Sequence, residues 1–159
     1  MPTDYSNCGV FTGCIRNLMI SNDTTLGVPT IEPYGSGCGP TTGGPAPAIG
    51  ALEIPLLGNA NFGITLADGP ATAPAFLALG SGRTSIQIGA GCTQLLAVGF
   101  DTVTFAITDP VGALTIPIPV PNNPVLAGQF GYFQWVTADP NGPVRGAFTL
   151  SNAIAVQVN

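Results

Sequence analysis

The sequence contains no histidine and no lysine, and its only cations are Arg16, Arg83 and Arg145. Only 7% of the 159 residues are charged and the formal net charge is −5, whereas an ordinary soluble domain is about 25% charged. Each absence excludes a class of chemistry. Phosphate neutralisation needs clustered Lys and Arg, and three arginines separated by more than sixty residues cannot supply it, so nucleic acid is not an expected partner. Without His there is no imidazole base, no imidazole metal ligand and no haem-attachment motif. A serine nucleophile lacks both usual bases, and a catalytic thiol lacks the cation that lowers its pKa.

The eight carboxylates are Asp4, Asp23, Glu32, Glu53, Asp68, Asp101, Asp109 and Asp139. Acid/base catalysis needs two of them matched across a cleft. Asp68, Asp109 and Asp139 instead sit in turn sequences and Asp101 lies between two strand-like runs, so no catalytic residue is expected. A calcium site built from loop carboxylates would need alternating Asp/Asn ligands followed by Glu, a pattern the chain lacks. No metal and no cofactor are expected.

No run reaches the roughly 18 uninterrupted apolar residues of a membrane span, because Gly, Pro, Asn or Thr punctuates every apolar stretch. Residues 1–20 lack the basic and then apolar regions of a secretory signal and carry Cys8 and Cys14 there, which implies a processed chain or another export route. The four cysteines, Cys8, Cys14, Cys38 and Cys92, have no His or acidic cluster beside them. They read as disulfide material from an oxidising compartment, with three pairings open.

What the chain does have is 22 Gly and 16 Pro, set between apolar, β-branched runs that alternate with period two. That is the signature of short, half-buried strands joined by tight turns. Strands are expected near 51–57, 61–67, 75–80, 85–89, 94–99, 102–108, 113–120, 129–137 and 147–158. Eight to nine strands at this spacing predict an all-β, jelly-roll-like sandwich over residues 51–159. Residues 35–50 read as a Gly/Pro-rich linker and residues 1–34 as an N-terminal arm. The turns Asp109-Pro110-Val111-Gly112 and Asp139-Pro140-Asn141-Gly142 place Asp before a Pro that presets the backbone, with Gly following. Asn123-Pro124 has the form of an N-cap with Pro at the first helical position.

Two strands bear on assembly. Pro117, Pro119 and Pro121 recur at alternate positions and strip donors from one edge of their strand, which predicts a blocked edge. In 129–137, Phe130, Tyr132 and Val136 oppose Phe133 and Trp135, so both faces are aromatic and one requires a cover, either the arm or a neighbouring subunit. The arm is too apolar for a solvated tail. Val10, Phe11, Ile15, Leu18, Ile20, Leu26 and Val28, with Phe133 and Trp135, are therefore the expected assembly interface. Asn22-Asp23-Thr24 makes Asn22 a candidate glycosylation acceptor, and the Tyr132–Trp135 region a candidate carbohydrate platform.

The residues Gly37-Cys38-Gly39-Pro40, Pro55-Leu56-Leu57-Gly58-Asn59-Ala60-Asn61-Phe62, Ala73-Pro74-Ala75-Phe76-Leu77-Ala78-Leu79-Gly80, Gly91-Cys92, Pro117-Ile118-Pro119, Asn122-Asn123-Pro124, Tyr132-Phe133-Gln134-Trp135, Asp139-Pro140 and Leu150-Ser151-Asn152 run in that order. With them, Gly35 to Asn159 resembles a β-domain at the C-terminus of large secreted or surface proteins of planctomycete-type bacteria. The resemblance implies an extracellular β-sandwich, a non-catalytic role and a Cys38 to Cys92 disulfide. Cys8 and Cys14 are then left to close a short loop in the arm. Family members carry the domain behind a large N-terminal region, whereas here it fills most of the chain. The combined expectation is a structural subunit that self-assembles into an extracellular filament, tube or surface layer through its arm. A non-catalytic binding or anchoring module for carbohydrate or a cell surface is the alternative.

Overall fold

The computed structural model of the protein describes residues 28–159 apart from 98 and 100, and the side chains of 102 and 103. Ten antiparallel strands form a five-stranded sheet, a three-stranded sheet and a separate hairpin. They are β1 (Thr30–Tyr34), β2 (Ala48–Leu52), β3 (Gly63–Ala67), β4 (Pro74–Gly80), β5 (Arg83–Gly89), β6 (Cys92–Leu96), β7 (Asp101–Ile107), β8 (Leu114–Pro117), β9 (Phe130–Ala138) and β10 (Phe148–Gln157). The large sheet has the order β1-β10-β9-β4-β7, the small sheet β2-β3-β8, and β5-β6 is the hairpin. The all-β sandwich expected from the alternation is the fold observed.

The core lies between the large and small sheets. Leu77, Phe133, Trp135, Ile154 and Val156 of the large sheet meet Ile49, Ile64 and Leu66 of the small one. Trp135 is fully buried, and its indole Nε1 donates to the Thr65 carbonyl at 3.0 Å, which joins the sheets through the only tryptophan. Beside it, the Thr137 and Thr149 hydroxyls lie 2.6 Å apart, a buried pair that satisfies itself.

The hairpin covers the other face of the large sheet and depends on Gln134, which is buried on the face opposite Trp135. Its Oε1 accepts from the Leu95 N–H at 3.0 Å, and its Nε2 donates to the carbonyls of Thr93 and Ser151 at 3.0 and 2.9 Å. The Cys38–Cys92 disulfide fixes the start of β6 to the backbone beside Leu150. The Leu150 N–H also donates to Cys38 Sγ at 3.3 Å.

Several boundaries differ from the sequence expectation, each for an identifiable reason. Thr30–Tyr34, expected in the arm, is an edge strand paired with β10 from Thr30↔Gln157 to Tyr34↔Ala153; Pro33 masks its alternation but is tolerated on an edge. The strand expected at 51–57 begins at Ala48 instead, inside the expected linker. It ends at Leu52 because Glu53 turns to a φ of 60°. The sandwich therefore starts near Thr30, not at 51. In β10 a bulge between Leu150 and Ala153 flips the pattern, so Phe148 and Leu150 face the hairpin while Ile154 and Val156 face the core.

Phe133 and Trp135 are corrected as assembly residues, because both are buried inside the sandwich. The opposite aromatic face is covered in part by the chain's own hairpin through Gln134. The turn readings hold. Asp109 Oδ1 accepts from the Val111 and Ala113 N–H groups at 2.9 and 2.8 Å, and Asp139 Oδ1 from the Asn141 N–H at 2.8 Å. Gly112 has a φ of 78°, and a Cβ there would collide with the Gly69 carbonyl. Asn123 caps a single 3-10 turn, Pro124–Leu126, by accepting from the Val125 N–H.

Two stability outcomes follow. Replacing Cys38 and Cys92 together by Ala is expected to lower the unfolding free energy by about 2–4 kcal/mol, because their disulfide closes a long loop; denaturant unfolding of oxidised wild type against the double variant measures this. Gln134→Leu strands three backbone partners, of which the buried Leu95 N–H and Ser151 carbonyl each cost about 1–3 kcal/mol. Hydrogen exchange should then show the amides of 83–96 losing protection before those of β9 and β10.

Candidate assembly surface

Of the sequence-expected interface residues, Val28 is described and is 73% exposed. Val10, Phe11, Ile15, Leu18, Ile20 and Leu26 lie outside the described residues. So do Cys8, Cys14 and the candidate glycosylation acceptor Asn22. The described surface is the one the sandwich presents.

A sheet edge with unpaired backbone groups is a template for another strand, and proteins blunt such edges with proline, charge, bulges or side-chain cover. Most edges here are blunted in this way. The N–H groups of Ile118 and Val120 turn inward to the carbonyls of Phe62 and Asn59 at 2.8 and 2.9 Å, leaving Pro117 and Pro119 on the open side of β8 and its continuation. On β2, the Ile49 N–H is taken by Asn152 Oδ1 at 3.0 Å. β1 carries Pro33, and β5 is shifted in register twice along its pairing with β6. The outer edge of β6 is occupied by the amide of Gln134.

β7 differs. It contains no proline, and after a bulge opposite Leu77 and Ala78 it pairs regularly with β4 from Thr104↔Leu77 to Ile107↔Pro74. The Thr108 N–H points inward to the Ala73 carbonyl at 3.0 Å. Alternation along the strand then places the N–H and C=O groups of Phe105 and Ile107 on the outer edge. Among the described residues no strand pairs with that edge. The side chains add apolar surface: Phe105 is 61% and Ile107 49% exposed, and Phe105 stacks on Phe76 with ring centroids 5.9 Å apart. This strip was not legible in the sequence, where 102–108 reads as one more alternating strand.

The aromatic cluster at the opposite edge is committed internally. Arg83 makes two hydrogen bonds to Glu32, at 3.2 and 2.5 Å, and lies over the Tyr34 ring at 4.6 Å. The hydrogen bond and charge of Arg83 hold the Glu32 carboxyl below the ordinary carboxylate range. Tyr34 donates its hydroxyl to the Leu95 carbonyl at 3.1 Å, and burial pushes its phenol up to about 12. The cluster thus straps the hairpin to β1. The ion pair is exposed and screened by solvent, so it aligns the two elements more than it stabilises them. The carbohydrate platform expected from Tyr132, Phe133 and Trp135 is corrected: only Tyr132 lies on an outer face, beside Phe130.

Two of the cavities among the described residues border polar side chains. One of about 90 Å³ lies between the hairpin and the large sheet, lined by Ala78, Ile88, Leu96, Gln134 and Val136. It is well below the roughly 300 Å³ of ordinary ligand pockets. Asp68 and Asp139 both line an open groove of about 310 Å³ whose other walls are mainly Pro and Gly, and Asp139 already serves its turn. Among the described residues no three Cys, Asp or Glu side chains gather where they could hold a metal ion, and no helix is long and apolar enough to cross a membrane. Comparison with known proteins finds no matching family model, no matching curated protein and no matching solved structure.

The strap has a pH signature. A phenol whose folded pKa exceeds its unfolded value of about 10 releases its proton more readily on unfolding. Its contribution to stability is complete below pH 10 and is lost as pH rises from there through about 12. Stability followed by near-UV circular dichroism should fall over that window in the wild type and fall less in Tyr34→Phe; an identical decline in both would contradict the assignment.

Proposed function

We propose that this protein is a structural subunit that self-assembles into an extracellular filament, tube or surface layer, with the apolar N-terminal arm joining one copy to the next. The observation that carries the reading is the open β7 edge beyond its bulge, a regular stretch over residues 104–107 that carries Phe105 and Ile107 in a domain whose other edges are blunted. Charge supports it as well. With 7% charged residues there is little repulsion to keep copies apart. The Cys38–Cys92 disulfide is of the kind that persists in oxidising surroundings, in keeping with an extracellular location and with the resemblance to planctomycete-type surface domains. No catalytic step is assigned to the chain.

The alternative, a carbohydrate or cell-surface binding module, draws on the stacked Phe130 and Tyr132 rings, 6.2 Å apart, with Phe130 48% exposed. It is the weaker reading because Arg83, Glu32 and the Tyr34 hydroxyl, the polar groups a sugar would need, already bind one another or the backbone.

Light scattering and electron microscopy of the purified full chain discriminate the two. The expected outcome is regular polymers whose mass grows with protein concentration and without added ligand. Removing residues 1–27 while keeping β1 should leave a folded, disulfide-bonded domain that stays monomeric. A full chain that remains monomeric at millimolar concentration would sink the assembly reading.

A further inference from the structure

We infer that the outer edge of β7 receives residues 15–21 of a second copy as an added strand of the five-stranded sheet. The inference rests on the assembly reading and names the contact within it. The acceptor is specified by the backbone: Phe105 and Ile107 present two donors and two acceptors in a regular stretch. Pairing of this kind gives main-chain hydrogen bonds, with alternate side chains supplying specificity.

The donor is specified by sequence. Residues 14–26 form the longest stretch without Gly or Pro among the first 27 residues, and its apolar part is Ile15-Arg16-Asn17-Leu18-Met19-Ile20-Ser21. In a strand, Arg16, Leu18 and Ile20 share one face. An antiparallel register that sets Ile20 opposite Phe105 and Leu18 opposite Ile107 joins apolar residue to apolar residue on one face. The same register carries Arg16 past the end of β7 at Ile107, toward the turn that holds the Asp109 carboxylate.

Topology favours a second copy over the chain's own arm. The arm leaves the sandwich at β1, and β1 and β7 are the two opposite edges of the large sheet, four strand spacings or roughly 19 Å apart. The small sheet covers the inner face of the strands between them, and the hairpin held by Gln134 and the disulfide lies on the outer face. The arm can reach its own β7 only around the rim, whereas the β7 of a neighbour lies open. Donor and acceptor at opposite edges of one sheet make a head-to-tail contact, which propagates as a filament or ring instead of closing as a two-fold dimer.

The test uses the full chain carrying Phe105→p-benzoylphenylalanine, an exposed position, mixed in equal parts as unlabelled and ¹⁵N-labelled protein and irradiated under assembly conditions. Cross-linked peptides joining position 105 to residues 15–21 and pairing light with heavy chains are expected. Ile107→Pro, which copies the blocking device of β8, should leave the unfolding midpoint nearly unchanged and raise the concentration needed for assembly about tenfold, the scale of one lost backbone hydrogen bond or two. Polymers without a cross-link to 15–21 overturn this inference and leave the assembly reading standing. Cross-links confined to single chains in a monomeric protein overturn both.

Discussion

The structure depends on one irregularity, the bulge at Ser151–Asn152 in β10, because backbone and side-chain groups of those two residues bond to the large and small sheets and, through Gln134, hold the hairpin. The Ser151 Oγ accepts the Trp135 N–H at 2.9 Å, supplying the partner that the broken ladder removes. The Ser151 carbonyl accepts from Gln134, whose other bonds hold the hairpin. Asn152 Oδ1 accepts the Ile49 N–H and so ties in the small sheet. Bulges bend a strand and re-aim its side chains, and here that turns Leu150 toward the disulfide and Ile154 toward the core.

The two faces of β9 show the consequence. Trp135 fills the space between the sheets, while Gln134, one residue earlier, points the other way and is equally dry. A buried amide is stabilising only when its donors and acceptors are matched, and no buried side-chain polar atom among the described residues lacks a partner. In a chain with so few charges, the hairpin is attached through neutral hydrogen bonds, one disulfide and the Arg83–Glu32 strap. The result is a large sheet closed on both faces over its central strands and open along one edge, β7.

That open edge connects the fold to the proposed role. Prolines on β1 and on the continuation of β8, the Asn152 cap on β2 and the irregular register of β5 all restrict pairing elsewhere. An edge left free in such company is a directional feature. Its exposed Phe105 and Ile107 give it an apolar margin, and the segment before Val28 contains apolar alternation of matching length. Neither feature involves a titratable group, so the proposed role asks nothing of the chemistry that the composition withholds.

Much was legible in the sequence itself. Period-two alternation, the Asp-Pro-x-Gly turns and the Asn-Pro cap express local rules that hold wherever the residues fall, so they located most strands, both turns and the 3-10 turn at Pro124–Leu126. The alternate prolines identified a blocked edge because a missing N–H is a property of the residue alone. Tertiary structure decided what depends on residues far apart in the chain. Thr30–Tyr34 became a strand because β10, more than a hundred residues later, offered it a partner. Phe133 and Trp135 went inward because the bulge and the small sheet fixed which face of β9 became core, a choice that alternation leaves symmetric. The exposure of β7 is a fact of strand order, and strand order is set by long-range pairing that no local pattern encodes.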